Sequence, residues 1–272
     1  MGLERKSDEL EAQLALAHEV AHQWWGNQVG WNSYRDQWLS EGFATYAAAL
    51  ALAEEANGER KFRDLMRAYK RELLEKNPEG NAVVSGGPIW LGRRLSNSLN
   101  PKGYDDIVYK KACWVLHMLR VLMTDPATGS DQKFFRMLRD FLVAYRDQDP
   151  STEDFIRQAE KYMTRAIDLE RNHRLDWFFA DWVYGAGIPS YKLQATTRRL
   201  AAKQFLIEGT IEQSGVPTDF EMLVPVVVSY GKEKKKTLFV AVSETGGRFR
   251  LNTAAKPTRV AIDEENLLAV VK

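Results

Sequence analysis

Cysteine occurs once in this 272-residue chain, at Cys113, so no intramolecular disulfide is available to hold the fold. That thiol lies in an apolar helical pattern with no His or Asn constellation around it, which reads as a small buried hydrophobe rather than a nucleophile. Low cysteine use suits a cytoplasmic or an exported bacterial-type protein alike and leaves the compartment open. No run of about 20 apolar residues occurs, which excludes an encoded membrane-spanning helix although 44% of the residues are hydrophobic. Charge of one sign is lacking too. With a formal net charge of +1, nothing electrostatic favours nucleic acid or an acidic membrane as a partner. The only basic run, Lys232 with Lys234, Lys235 and Lys236 beside Gly231, reads as a solvated hairpin turn between two strands. Ser85-Gly86-Gly87-Pro88 lacks the Gly-Lys-Ser/Thr ending of a phosphate-binding loop and reads as a plain loop.

Histidine is scarce as well, with four in the chain, yet two of them carry the strongest signal. His18 and His22 are four residues apart, so in a helix they project from one face and both imidazoles can converge on one ion. Glu41 follows His22 after eighteen residues, long enough for the chain to turn back and offer a carboxylate from a second helix. Two His and one Glu leave a fourth position open on zinc, the arrangement of a catalytic rather than a structural site. Glu19, beside His18, is the candidate general base: zinc lowers the pKa of water from about 16 to roughly 7, and a nearby carboxylate then takes the proton and passes it to the leaving amine. His-Glu-x-x-His by itself also arises on exposed helices whose side chains are merely solvated; the third acid is what a solvated face does not predict. His117, in an apolar helix, reads as a core residue, and His173 as a surface one. Asp36 and Thr45 could orient the ligating imidazoles, and solvated or capping roles suit them equally well.

These residues resemble the gluzincin zinc aminopeptidase family. That family's pattern runs from His-Glu-x-x-His through eighteen residues to a Glu inside Trp-Leu-x-Glu-Gly-Phe-Ala, and His18, Glu19, His22, Trp38, Leu39, Glu41, Gly42, Phe43 and Ala44 fill it. Gln23, Trp24, Trp25, Gly26 and Asn27 match the continuation of its first zinc helix. The stretch from Val108 to Arg120 resembles the family's Tyr-x-Lys-Gly-Ala segment, with Ala112 where Gly is usual. On its own Tyr109 reads as a core aromatic with its hydroxyl at the rim; the resemblance implies that it donates a hydrogen bond to the oxyanion. The resemblance also implies one zinc ion, a peptide substrate, removal of amino-terminal residues, and a thermolysin-like helical lobe followed by a small antiparallel β-sandwich. The family's Gly-x-Met-Glu-Asn segment, whose Glu binds the free amino terminus of the substrate, is not among the seventeen residues before His18. A fragment without the amino-terminal half of its parent is therefore expected, with zinc binding retained in part and peptidase activity of this piece alone weak or nil. A zinc endopeptidase or epoxide hydrolase of the same superfamily, and a non-catalytic binding fragment, are the alternative readings.

Length and periodicity divide the chain into two domains, an α+β arrangement with a helical zinc-binding lobe over 1–190 and a β-sandwich over 191–272. Ser7-Asp8-Glu9 is a helix-start signal, and Leu10, Leu14, Ala17, Ala21 and Trp24 keep a helical period. Further helices are expected up to Ala53, from Arg60 to Lys76 before Asn77-Pro78, from Asp106 to Met123 and from Phe134 to Tyr145, with a capped start at Ser151-Thr152-Glu153-Asp154. Residues 81–102 read as turns and irregular structure, and the resemblance implies that Ile89, Trp90 and Leu91 border a substrate cleft. Beyond Tyr191 the alternation of Phe205, Ile207 and Ile211, and the runs Met222–Val228, Leu238–Val242 and Val260–Ile262, read as short strands.

Overall fold

A computed structural model describes residues 2–76, 80–98, 100–231 and 234–272. Among them helices fill the first two thirds: α1 (Gly2–Ala21), α2 (Trp38–Ala53), α3 (Gly58–Leu74), α4 (Ala112–Met123), α5 (Gln132–Ala144), α6 (Thr152–Glu160) and α7 (Asp176–Trp182). Strands follow: β1 (Ser190–Ala201), β2 (Gln204–Ser214), β3 (Met222–Tyr230), β4 (Lys234–Val242), β5 (Gly247–Thr253), β6 (Arg259–Ile262) and β7 (Val270–Val271). The fold is α+β, and no described helix is long and apolar enough to cross a membrane. Helix α1 opens at Gly2, upstream of the Ser7 signal, because the intervening Leu, Glu, Arg and Lys are good helix formers. Asn77 and Pro78, expected after α3, and Lys232 of the basic run lie outside the described residues.

The strands form a four-stranded sheet in the order β5-β2-β1-β7 and a three-stranded one in the order β4-β3-β6. Every pairing is antiparallel except that of β1 with β7, where Ser190 and Tyr191 run parallel to Val270 and Val271. The middle strand β3 is buried along Met222–Val226, which accounts for its unbroken apolar run. Residues 266–268 stitch this region to the helices: Leu267 O accepts from Lys70 Nζ at 3.3 Å, and the Leu268 amide meets Met118 Sδ at 3.4 Å. One apolar core consequently runs from Trp38 and Phe43 through Leu119 and Phe178 to Val226 and Ile262.

Helix α2, which carries Glu41, is fixed by an aromatic cluster. Phe43 packs on Trp25, Trp38 and Phe155 with ring centroids 4.6, 5.5 and 5.0 Å apart, and Phe155 meets Phe141 edge-on at 5.4 Å. Such pairs contribute roughly 0.5–1.5 kcal/mol each beyond burial. Trp38 Nε1 donates to Thr152 Oγ1 at 2.9 Å, and Asp36 accepts from both the amide and the hydroxyl of Thr152 at 2.7 and 2.8 Å. The start of α2 is thereby tied to α6, whose Ser151 and Asp154 form the expected reciprocal cap.

His117 on α4 is a core histidine, only 5% exposed. Its Nε2 donates to Asn266 Oδ1 at 2.9 Å, which leaves Nδ1 to accept from the Tyr46 hydroxyl at 3.2 Å. Burial pulls the imidazole down to about 4, against the opposing hydrogen bond to Asn266. Between the ordinary 6.5 and that value the unfolded chain binds a proton that the folded chain refuses, so stability is lost as pH falls through this window. The expected loss is roughly 3 kcal/mol. Urea midpoints at neutral pH and near pH 4 should show it, and His117→Gln should shrink the difference between them; an equal difference in both proteins would remove His117 as its source.

Candidate metal centre

The last turn of α1 and the first turn of α2 lie side by side, so His18, His22 and Glu41 meet as their spacing implied. His22 Nε2 is 3.0 Å from His18 Nε2, and Glu41 Oε2 is 3.4 Å from each. All three side chains are partly buried. A tetrahedral ion with ligand bonds of about 2.0–2.1 Å spaces its ligand atoms about 3.3 Å apart. The observed triangle matches that edge length, so the donors fit zinc.

The outer ring nitrogens explain why Nε2 faces inward. His22 Nδ1 is 2.8 Å from Trp25 O, which can only accept, so the ring proton sits on Nδ1 and the lone pair on Nε2. Ser40 Oγ stands 3.2 Å from the same nitrogen and itself donates to Trp25 O at 3.0 Å. Thr45 Oγ1 donates to Glu41 O at 2.7 Å and lies 3.4 Å from His18 Nδ1, whose proton it is placed to accept. Thr45 thus takes the orienting position, while Asp36 is occupied with Thr152 and Ser33. Two lone pairs and a carboxylate oxygen converging at these distances are arranged to hold a cation.

Local backbone geometry delivers the ligands. After Ala21 the chain still bonds His22 N–H to His18 O at 3.2 Å, then turns at Gly26, whose φ is 124°. A Cβ on Gly26 would stand 2.7 Å from Ser40 Oγ, so a side chain there would press into the group that orients His22. The connecting loop is laced to residues 147–150, with Asp147 N–H on Gln28 O at 2.8 Å and Gly30 N–H on Gln148 O at 2.9 Å. Gly42, next to Glu41, permits the closest approach: a Cβ there would meet Ala112 Cβ at 2.5 Å and Val108 O at 3.2 Å.

That contact brings in the segment bearing Tyr109. Residues Asp105–Lys111 form a π-helical stretch ahead of α4, where the periodicity predicted an ordinary helix; short π-turns inside helices recur at functional sites. Tyr109 stacks on the His18 ring at 5.7 Å and 17° and meets Tyr104 edge-on at 5.7 Å, and its hydroxyl lies near the Glu41 carboxylate. Burial and the adjacent Glu41 carboxylate push the phenol well above its ordinary 10, so it stays a donor at any physiological pH. Burial works to raise the Glu41 carboxyl, but the adjoining His18 and His22 imidazoles, which can donate to it only while no ion takes their inward lone pairs, and the Tyr109 hydroxyl hold it below its ordinary value.

Glu19 is exposed, on the open side of α1 with Leu16 and Val20, and has no hydrogen-bond or ion-pair partner among the described residues. A cavity of about 240 Å³ opens on His18 and Tyr109 and is lined further by Leu14, Ala15, Ala48 and Tyr69. Ile89, Trp90 and Leu91 do not line it; Ile89 is buried, and the Trp90 ring carries the Arg35 guanidinium 4.0 Å above its face. Two larger cavities, about 650 and 580 Å³, involve α3, α4 and the three-stranded sheet and contain none of the triad. Cys113 is buried against Met66 at 3.8 Å, and burial pushes its thiol far up, which suits a core residue.

Two imidazoles, one acid from the next helix and a phenol at the rim make a candidate site for one metal ion. Comparison with known proteins gives its lineage. Residues 3–182 match the peptidase family M1 domain, and the chain belongs to that family. It is 28% identical over 192 residues to aminopeptidase O of Rattus norvegicus, covering 64% of this chain and 22% of that protein. Aminopeptidase N of the same organism is 25% identical over 81% of this chain and 22% of its own length, and glutamyl aminopeptidase of Sus scrofa 25% identical over 89% and 24%. The chain therefore spans less than a quarter of the length of these relatives. A crystal structure of Legionella pneumophila aminopeptidase A in complex with aspartic acid superposes with a TM-score of 0.65, at 16% identity, over 95% of this chain and 26% of that one, which shows a shared fold.

Proposed function

We propose that the chain is the zinc-binding lobe of an aminopeptidase, hydrolysing peptide bonds at the amino end of peptides. The observation that carries this reading is the convergence of His18 Nε2, His22 Nε2 and Glu41 Oε2 within 3.0–3.4 Å of one another. In this reading residues 1–190 form the metal-binding domain and residues 191–272 a β-sandwich domain packed on it through the shared core, supported by the change from helix to strand between Trp182 and Ser190.

His18, His22 and Glu41 would hold the ion. When bound, zinc supplies Lewis-acid polarisation and makes water acidic enough to lose a proton at a pKa of about 7. Glu19 would accept a proton from the attacking water and return it to the departing amine, a role its exposed, unpartnered carboxylate suits. Tyr109, held in its protonated form, donates to the carbonyl oxygen as negative charge develops on it. Thr45, Ser40 and the Trp25 carbonyl keep both imidazoles in the tautomer that turns a lone pair inward.

The residues before His18 do not carry the Gly-x-Met-Glu-Asn segment to which the resemblance assigns the free amino terminus of the substrate. The purified 272-residue chain should accordingly take up one zinc per molecule, by elemental analysis after dialysis against the metal, and hydrolyse an amino-acid anilide weakly or not at all. Efficient anilide cleavage would show that this chain handles the amino terminus without that segment. A chain that stayed metal-free would overturn the hydrolase reading itself.

A further inference from the structure

Lys111 is the one fully buried lysine among the described residues, with 0% of its side chain exposed. Leucine or methionine would fill the same space without the desolvation of a cation, which is unfavourable by several kcal/mol for an unpaired charge. The ammonium is engaged with a single segment: Nζ donates to Gly185 O at 2.8 Å, and Asp181 supplies the neighbouring negative charge. Residues 181–185 are themselves held from several sides. Asp181 Oδ2 accepts from Glu221 N–H at 2.8 Å at the head of β3, Val183 O accepts from Trp90 N–H at 3.2 Å, and the Tyr184 hydroxyl donates to Glu153 at 2.6 Å. They make a rigid abutment.

Lys111 closes the π-helical stretch that carries Tyr109. The preceding Lys110 reaches the other way, pairing with Asp106 at 2.5 Å and with Glu72 of α3. Successive lysines therefore tether this turn to two different parts of the protein. The tethering matters because a π-turn is less favourable than the α-helix into which it could relax. Relaxation removes one residue of register and rotates the preceding side chains by about 100° around the axis, one residue's share of a 3.6-residue turn.

We propose that Lys111 is a positioning residue: its buried side chain, anchored on the Gly185 carbonyl with the Asp181 carboxylate in the same segment, keeps the π-turn in the register that stacks Tyr109 on the His18 ring. The claim rests on the hydrolase reading only for the importance of Tyr109. Burial pulls the lysine down to about 7 and pushes Asp181 up to about 6, so the pair is in a low-dielectric setting where loss of either partner is strongly felt.

The test is fluorine NMR of the full chain with 3-fluorotyrosine placed at Tyr109, in Lys111→Met and in Asp181→Asn, each checked for folding by circular dichroism, with zinc affinity measured in parallel. The Tyr109 resonance is expected to move toward that of free fluorotyrosine in both variants while zinc affinity is unchanged, because the ligands reside on α1 and α2. A resonance unmoved in a folded variant overturns the proposal, as does a zinc affinity that falls in step with the shift, since that would mark a general distortion of the lobe. Should Lys111→Met not fold, Asp181→Asn decides alone, because it leaves the buried stem in place and removes only the charge beside it. The shift needs neither bound metal nor turnover, so failure of the hydrolase reading leaves this claim independently testable.

Discussion

His22→Ala is expected to lower zinc affinity at least a hundredfold while leaving the chain folded. Loss of an outer partner of a ligating histidine typically weakens metal binding about 10–100-fold, and loss of the ligand itself exceeds that. The imidazole sits at the corner of the triangle where α1 ends, and removing it leaves only His18 and Glu41, 3.4 Å apart, to face the ion. Folding should suffer little. The substitution vacates a partly buried position and frees Trp25 O from one of its two donors, Ser40 Oγ remaining at 3.0 Å, so the cost is on the order of 1 kcal/mol. Competition against a chromogenic chelator measures the affinity, and thermal unfolding without metal measures the stability. Unchanged affinity in a folded His22→Ala chain would remove the triad as the metal site.

Glu19→Gln is expected to act in the opposite manner, sparing the metal and abolishing the chemistry. Glu19 is exposed and forms no hydrogen bond or ion pair among the described residues, so neither the fold nor the ligand geometry depends on it. An amide of the same shape cannot accept the proton. Positioned general bases contribute about 10²–10⁴-fold, and the loss in turnover should fall in that range. Because turnover by this chain is expected to be weak, the comparison needs a sensitive anilide assay, with zinc content measured on the same samples. A turnover unchanged by Glu19→Gln at full zinc occupancy would take the base assignment away from this residue.

Legibility in the sequence followed the physical range of each signal. His18, His22 and Glu41 were legible because helical periodicity projects the first two from one face and a fixed chain length returns the third. Thr45 could be named as an orienting group, but Ser40 and the Trp25 carbonyl could not, since their role depends on how the loop turns at Gly26. The π-stretch at Asp105–Lys111 is invisible to periodicity: one inserted residue shifts the apolar pattern no more than ordinary irregularity does. Strands β2, β3 and β6 announced themselves through buried β-branched residues, whereas β1 did not. From Lys192 onward its side chains are largely exposed, and the strand exists because Ser190 to Ala201 pairs with Ser214 to Gln204 of β2. The short β7 was hidden for a related reason, as two residues gain strand geometry only by lying beside Ser190 and Tyr191. Lys111 carried no sequence signal beyond its place in the motif, because its abutment at Gly185 is 74 residues away.

Gly42 sets a tolerance. Its missing methyl group lets the helix bearing the acid rest directly on Ala112 and the Val108 carbonyl, so the gap between carboxylate and phenol is a thickness of backbone rather than an adjustable side-chain contact. A lobe gauged in this way has no slack to absorb bulk at the seam. Added bulk is better tolerated at the cavity walls around Leu14, Ala15 and Tyr69, which face open space.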